Sequence, residues 1–275
     1  MHNLVLNAYT DILESLRAKW FLVYTAVFGG LLVLLFLFGI TESRIMGFTG
    51  LSRLLVTYIQ LSMAILPVFV LVTTVRSVAG DREAGIFEYL LALPIGLAAW
   101  YWGKLLGRFA VVFLPVAFAM FGGVAWGAMR GAEVPWDLLL YYTALLMTLA
   151  WCFLGIGMLI STLARSADVA QGAAFVIWLT LLLFLDLVLL GAMIRGSLPP
   201  DVAVAISLVN PMQVFRTAAM MLFDQQLVLL GPSAFLILDH FGTSGYILYA
   251  LAYPIALGTF CAWLGYRSFR GSDLP

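Results

Sequence analysis

The densest cluster of charged residues in this sequence lies in residues 80–94, between two strongly apolar stretches. Glycines at positions 80 and 85 and a proline at position 94 divide the segment into two short predicted helices. Acidic side chains open the first helix, where the helix dipole favours them. In the second, Ile86, Leu90 and Leu93 share one face.

Such a segment can offer both charges and an apolar knob to a groove on another protein. The alternative is a solvated loop with a membrane-facing stripe, but about 30 residues separate the flanking apolar stretches, more than a simple turn needs. We therefore predict a docking element. Its contact residues are predicted to be Asp81, Arg82, Glu83, Gly85, Ile86, Phe87, Glu88, Tyr89, Leu90 and Leu91.

A second candidate is Asp186, which lies inside an otherwise apolar stretch. An acid at the centre of a membrane helix costs about 2.5–3.5 kcal/mol on insertion scales. It must therefore face other helices or a wet cavity, or be protonated. Two roles stay open from the sequence, one in transport or gating and one in hydrogen-bonded packing. The sequence does not identify its partner, although Thr180 lies within two turns.

Soft ligands that could handle Cu(I) occur late in the chain, although methionine is also an ordinary filler of apolar surfaces. These residues are Met212, Met220, Met221 and His240. Cys152 and Cys261 fall inside apolar stretches and are predicted to be buried, inert thiols. No metal site, cofactor or catalytic residue is predicted. The chain has no phosphate-binding loop of the G-x-x-x-x-G-K-[ST] type, so it is not expected to hydrolyse ATP alone.

The elements that position these residues follow from composition. Hydrophobic residues make up 64% of the 275 positions and charged residues only 10%, where soluble proteins have about 25%. We predict an all-α polytopic membrane protein forming a single transmembrane domain over residues 1–275, in contact with lipid. A formal net charge of zero suggests no nucleic-acid partner. The six predicted spans are 20–40, 56–75, 109–129, 138–163, 171–194 and 245–264.

An amphipathic helix is predicted for residues 1–19, lying in the membrane interface before the first span. Nine of the 14 Lys and Arg residues fall on the side of the termini, which predicts that both termini are cytoplasmic. Residues 76–108 then form a cytoplasmic segment. Residues 195–244 form an outer segment with two helices, 202–209 and 214–223, that are too short to span.

This layout, together with the Asp-Arg-Glu-Ala-Gly-Ile-Phe-Glu-Tyr-Leu-Leu-Ala-Leu-Pro run of residues 81–94, resembles the ABC type 2 (exporter) permeases. The resemblance covers essentially the whole chain. It implies a non-catalytic permease subunit that pairs with a second copy of itself. It also implies two copies of an ABC ATPase subunit, which would bind ATP and Mg and dock on residues 80–94.

A narrower resemblance rests on four short motifs, in order along the chain: residues 47–49, 186–190, 210–216 and 266–270. Together they resemble the permeases of copper-processing ABC complexes that serve nitrous oxide reductase maturation in denitrification. This implies a bacterial inner-membrane protein and a periplasmic copper-binding β-helical partner. By this analogy the partner would contact Gly47, Phe48, Thr49, Asn210, Pro211 and Arg216.

Two other functions stay open at this point. One is an ABC exporter permease for a lipid, a glycan or a small hydrophobic compound. The other is a membrane scaffold or anchor that works without an ATPase. The sequence also does not decide whether copper, a sulfur species or nothing crosses the membrane.

Overall fold

A computed structural model describes residues 2–17, 19–39, 50–86, 96–131, 133–194, 199–221 and 232–271, and these contain helices and turns but no strand. The predicted all-α class is confirmed for this part of the chain. The helices are α1 (His2–Arg17), α2 (Lys19–Gly39), α3 (Gly50–Thr74), α4 (Arg76–Glu83), α5 (Leu97–Met129), α6 (Trp136–Leu163), α7 (Ala167–Leu179), a π-helical turn (Thr180–Phe184), α8 (Leu185–Ile194), α9 (Pro200–Val209), α10 (Pro211–Met221) and α11 (Pro232–Gly271).

Five described helical stretches are long and apolar enough to cross a membrane: Leu55–Glu83, Leu97–Met129, Trp136–Leu163, Ala167–Val188 and Gly242–Gly271. A sixth arises if α9 and α10, which meet at 95°, together form one broken span. Helix α2 overlaps the predicted first span, and its part Leu22–Leu31 is apolar but shorter than the five spans. The chain is therefore a multi-pass membrane protein, as its composition predicts.

Several helix ends differ from the sequence prediction. The third span starts at Leu97 rather than at position 109, and Gly80 lies inside α4 rather than at its boundary. The helices continue because their charged side chains find partners on neighbouring helices, as described below. Gly85 does lie just beyond the end of the first predicted helix, and its φ of +67° is a conformation that glycine adopts readily.

Two further helix boundaries are explained by the residues at the boundary itself. Helix α10 begins at Pro211 instead of position 214, because proline suits the first turn of a helix and the Asn210 side chain caps it. In α11, Gly242 has a φ of +63° and interrupts the helix. The predicted last span at 245–264 lies wholly beyond this interruption.

Helix α6 is the centre of the bundle and packs most extensively on α11, with α3, α5 and α7 also against it. The backbones of α6 and α11 approach each other closely where Gly155 faces Gly258. Trp151 Nε1 donates to Thr259 Oγ1 at 3.0 Å beside this crossing. Small residues allow this approach, and van der Waals packing then drives helix association in lipid.

The two ends of the bundle carry different elements. At one end, here called the α4 end, α1 packs on α5 at Gly107, and Phe269 of α11 stacks on Trp100 with ring centroids 5.4 Å apart. Helix α1 and the last turns of α11 thus lie at the same end of the bundle. At the opposite end, the α10 end, the hydroxyl of Tyr142 in α6 donates to the Ala219 carbonyl of α10 at 3.0 Å.

Candidate functional site

The charged residues of α4 contact helices of the same chain. The Arg82 guanidinium donates to the carbonyl oxygens of Ala164 at 3.2 Å and Thr162 at 3.3 Å. These carbonyls lie at the C-terminus of α6, where the helix itself offers no donors. A cation at this position also complements the helix dipole. Arg82 therefore fastens α4 to the end of the central helix.

Glu83 makes the matching contact with the next helix. Its Oε1 accepts a hydrogen bond from the backbone N–H of Ala167, in the first turn of α7, at 3.2 Å. Ser166 caps the same helix by accepting from the Val169 N–H at 3.2 Å. Arg82 and Glu83 thus hold the end of α6 and the start of α7, the two sides of one short connection.

The start of α4 is held by Ser161 of α6. Helix α4 has no side-chain cap of its own, and its first N–H groups need acceptors. The buried Ser161 Oγ accepts from Val78 N at 2.9 Å and from Ala79 N at 3.1 Å. Both ends of α4 are therefore bonded to α6, and the short helix is set rigidly against it.

Charges on α5 complete this end of the bundle. The Lys104 ammonium forms a salt bridge with Asp81 and lies 4.9 Å from the centre of the Trp100 ring. One turn further, Arg108 donates to the Thr73 carbonyl and lies 3.6 Å from the Asp11 carboxylate of α1. Asp11 is only 5% exposed. Buried charges must be paired, and here the pairs link α1, α3, α4 and α5.

These contacts occupy part of the predicted docking segment within its own chain. Asp81, Arg82 and Glu83 bond within the chain, whereas Ile86 is 39% exposed. Gly85 forms the turn after α4. The predicted contact residues Phe87, Glu88, Tyr89, Leu90 and Leu91 lie outside the described residues. Docking of a partner on this segment stays a prediction.

Sequence reasoning missed several of the residues that hold these helices together. Ser161, Lys104, Arg108 and Asp11 were not singled out. A usable signal was present for two of them, because Lys104 and Arg108 are four residues apart and share one face of an apolar helix. Two cations on one face of such a helix require acidic or carbonyl partners nearby. No comparable signal marks Ser161.

At the α10 end, Asp186 has the partners that the sequence could not identify. Its Oδ2 accepts from Arg216 Nη1 at 3.1 Å, and its Oδ1 accepts from the Gln213 side-chain amide. Thr180 is not a partner, since its hydroxyl donates to the Val176 carbonyl of its own helix at 2.8 Å. Asp186, near the end of the span Ala167–Val188, is therefore paired with a cation.

Asn210 occupies the bend between α9 and α10. Its Nδ2 donates to the Leu181 carbonyl in the π-helical turn at 2.8 Å, and its Oδ1 accepts from Met212 N at 3.0 Å. Asn210 is 2% exposed and Pro211 is buried. Contact of these residues with a periplasmic protein stays a prediction, as it does for Gly47, Phe48 and Thr49, which lie outside the described residues.

Three of the four soft ligands lie on one described helix. Met212, Met220 and Met221 are buried on α10, and Met220 Sδ accepts from Gln60 Nε2 at 2.6 Å. The side chain of His240 lies outside the described part. Within that part, no three His, Cys, Asp or Glu side chains are arranged to hold a metal ion. Cys152 and Cys261 are free thiols, the first buried and the second half-buried.

Comparison with known proteins identifies the family. The family model described as ABC-2 family transporter protein matches residues 8–274, and so includes both ends of the bundle. The chain belongs to the ABC-2 transporter family. Its members include permease subunits of ABC transporters, and the resemblance noted in the sequence is confirmed.

Two curated relatives carry the same name. The chain is 26% identical over 216 residues to a "probable ABC transporter permease protein NosY" of Stutzerimonas stutzeri, covering 76% of this chain and 78% of the relative. It is also 26% identical over 224 residues to the protein of that name from Pseudomonas aeruginosa, covering 79% and 81%. The permease is therefore NosY-like at low identity.

Proposed function

We propose that this permease couples ATP hydrolysis by a separate ATPase subunit to a periplasmic copper-handling protein, for assembly of the copper sites of nitrous oxide reductase. The observation that carries the proposal is the similarity to two permeases named NosY over about three quarters of the chain. In this proposal two copies of the chain pair in the bacterial inner membrane, with both termini in the cytoplasm. ATP and Mg bind to the two ATPase copies, and this chain holds no cofactor.

The α4 end supplies a mechanical basis for such coupling. A force on the residues that follow α4 acts on Arg82 and Glu83, which are bonded to the end of α6 and the start of α7. Ser161 holds the other end of α4, so the short helix moves with α6 rather than sliding along it. A push from an ATPase is thereby passed to two spans at once.

Helix α7 leads from this contact towards the opposite end. It begins at Ala167, beside Glu83, and runs through the π-helical turn into α8, where Asp186 meets Arg216. Continuous packed elements of this kind can carry coupling between distant sites. We favour force transmission over copper passage, because no row of Met, Cys or His lines the sequence of the spans.

The first test is to purify the tagged chain from native membranes in mild detergent and to identify the proteins that accompany it by mass spectrometry. The proposal predicts an ABC ATPase together with a periplasmic repeat protein. The ATPase alone would favour an exporter for a lipid, a glycan or a small hydrophobic compound. Neither protein, in a preparation whose native complexes are otherwise intact, would leave the scaffold or anchor function.

Docking of the ATPase on the α4 end is best tested at an apolar residue, because the charged residues of α4 bond within the chain. Charge reversal of Arg82 or Glu83 would break contacts inside the chain, so a loss of binding would be ambiguous. Ile86→Asp alters an exposed apolar side chain and is expected to release the ATPase while the permease stays folded. Met129→Asp, at a 75% exposed position on the α10 end, is the matched control and should retain it. Equal ATPase recovery with both variants would contradict docking at Ile86.

A further inference from the structure

We infer that Asp186, Gln213 and Arg216 form a polar latch that holds the bent helix pair α9–α10 against the π-helical turn, and that the latch opens during the ATP cycle. The second part rests on the proposed function, whereas the first part concerns the isolated chain. The latch would make these three residues positioning residues for the α10 end.

In the latch, each carboxylate oxygen of Asp186 accepts a hydrogen bond. Gln213 and Arg216 are three residues apart and share one face of α10. Each contacts a different oxygen of Asp186, the amide at Oδ1 and the guanidinium at Oδ2. The Asp186 carboxylate on α8 thereby fixes the rotation of α10 about its own axis and its position along α8. An acid in a span needs such partners, because leaving water costs it free energy.

The latch joins two places where the backbone is irregular. The π-helical turn, Thr180–Phe184, directly precedes Asp186, and the 95° bend between α9 and α10 directly precedes the helix that carries Arg216. A third bond links the same two places, since Asn210 in the bend donates to the Leu181 carbonyl within the turn. Single π turns in α-helices often occur at functional sites. Irregular backbone can shift more readily than a regular helix, so these polar bonds define the resting arrangement.

The exposed fractions of the side chains distinguish the Asp186–Arg216 pair, which can separate, from the enclosed Asp11–Arg108 pair. The side chains of Arg216 and Asp186 are 42% and 25% exposed, whereas those of Arg108 and Asp11 at the α4 end are 19% and 6% exposed. Separating a sealed pair leaves charges without solvent, which is strongly unfavourable. Asp186 lies two residues before the end of the span Ala167–Val188, where a partly exposed pair can meet water as it separates, so opening costs less. The pair at the α10 end is therefore suited to open and close.

The test uses the whole chain in detergent and a reporter on α10. Ala218 is fully buried, so Ala218→Cys, placed in a chain with Cys152→Ala and Cys261→Ala, reports opening through its labelling rate with a water-soluble maleimide. Asp186→Asn and Arg216→Gln are each expected to raise this rate about tenfold, because a hydrogen bond to a charged group contributes enough for that factor. The exchange Asp186→Arg with Arg216→Asp should return the rate towards that of the parent.

Two matched controls come from the same end of the bundle. Asp137→Asn and Arg130→Gln remove an exposed acid and an exposed arginine; the Arg130 guanidinium lies over the Trp126 ring, 5.1 Å from its centre. Neither control should change the labelling rate. Equal rates in the parent and in both single latch variants, or no recovery in the exchanged pair, would overturn the latch.

A second measurement tests opening during the cycle. In the complex with its ATPase, a non-hydrolysable ATP analogue should raise the labelling rate of the parent reporter chain. A nucleotide-independent rate in a complex that hydrolyses ATP would overturn the cyclic role and leave the proposed function standing. If no ATPase accompanies the chain, the proposed function fails, and the single and exchanged variants still decide whether the latch exists.

Discussion

The close crossing of α6 and α11 gives a prediction whose size follows from the structure. A Cβ added at Gly155 would lie 1.9 Å from the carbonyl oxygen of Gly258, whereas an ordinary contact begins at 3.4 Å. The obstacle is backbone and cannot rotate away. Gly155→Ala therefore forces the two helices apart by about 1.5 Å at this point. These helices form the most extensive pairing in the bundle, so many neighbouring contacts loosen with them.

The expected change in the free energy of unfolding is the sum of two opposing effects. Overpacking a well-packed interface costs about 1–3 kcal/mol, and a backbone obstacle places this site at the upper end. Alanine in place of a helical glycine returns up to about 1 kcal/mol. We expect Gly155→Ala to lower the free energy of unfolding by about 2 kcal/mol, the difference between the two terms. Reversible unfolding in mixed detergent micelles, followed by tryptophan fluorescence, measures this quantity.

Gly172→Ala is the matched control, because it changes a helical glycine of α7 with nothing within 4 Å of the added methyl. It should leave stability unchanged or raise it slightly. The combined variant Gly155→Ala with Gly258→Ala should cost less than the two single changes together, since both act by separating the same helices. If Gly155→Ala and Gly172→Ala unfold alike, the two backbones are not as close as described and the reasoning is refuted.

Three further predictions concern the polar contacts and the packing of α1. Arg82→Ala should speed hydrogen exchange at the end of α6 by removing two hydrogen bonds, at about 1–2 kcal/mol, while Arg76→Ala, which breaks an exposed ion pair, should change it little. Gly107→Ala places a methyl 2.7 Å from the Ala8 carbonyl and should expose α1 to limited proteolysis; Gly122→Ala, with open space around it, should not. Asn210→Ala removes one bond to the π-helical turn and one to α10, so exchange at the Met212 amide should rise while exchange in α6 stays constant.

Much of the architecture could be predicted from local chemistry. Apolar stretches long enough to cross a bilayer determine helices, because backbone groups in lipid must be satisfied within the segment. Proline and glycine determine several boundaries in the same local way, as at Gly85, whose positive φ follows the end of α4, and at Pro211, where α10 begins. The acid at position 186 could be recognised as requiring a partner for the same reason.

The partners themselves were decided by tertiary structure. Arg82 and Glu83 are charged residues of the kind expected on a free docking surface, yet they bond to residues 80 or more positions later in the chain. Asp186 could pair with any donor that packing brings to it, and packing brings Arg216. The sequence shows that a charged side chain in an apolar helix requires a partner, because its charge is unfavourable away from water. Which residue becomes that partner depends on which helix faces lie together, and this is determined only when apolar surfaces pack across the whole bundle.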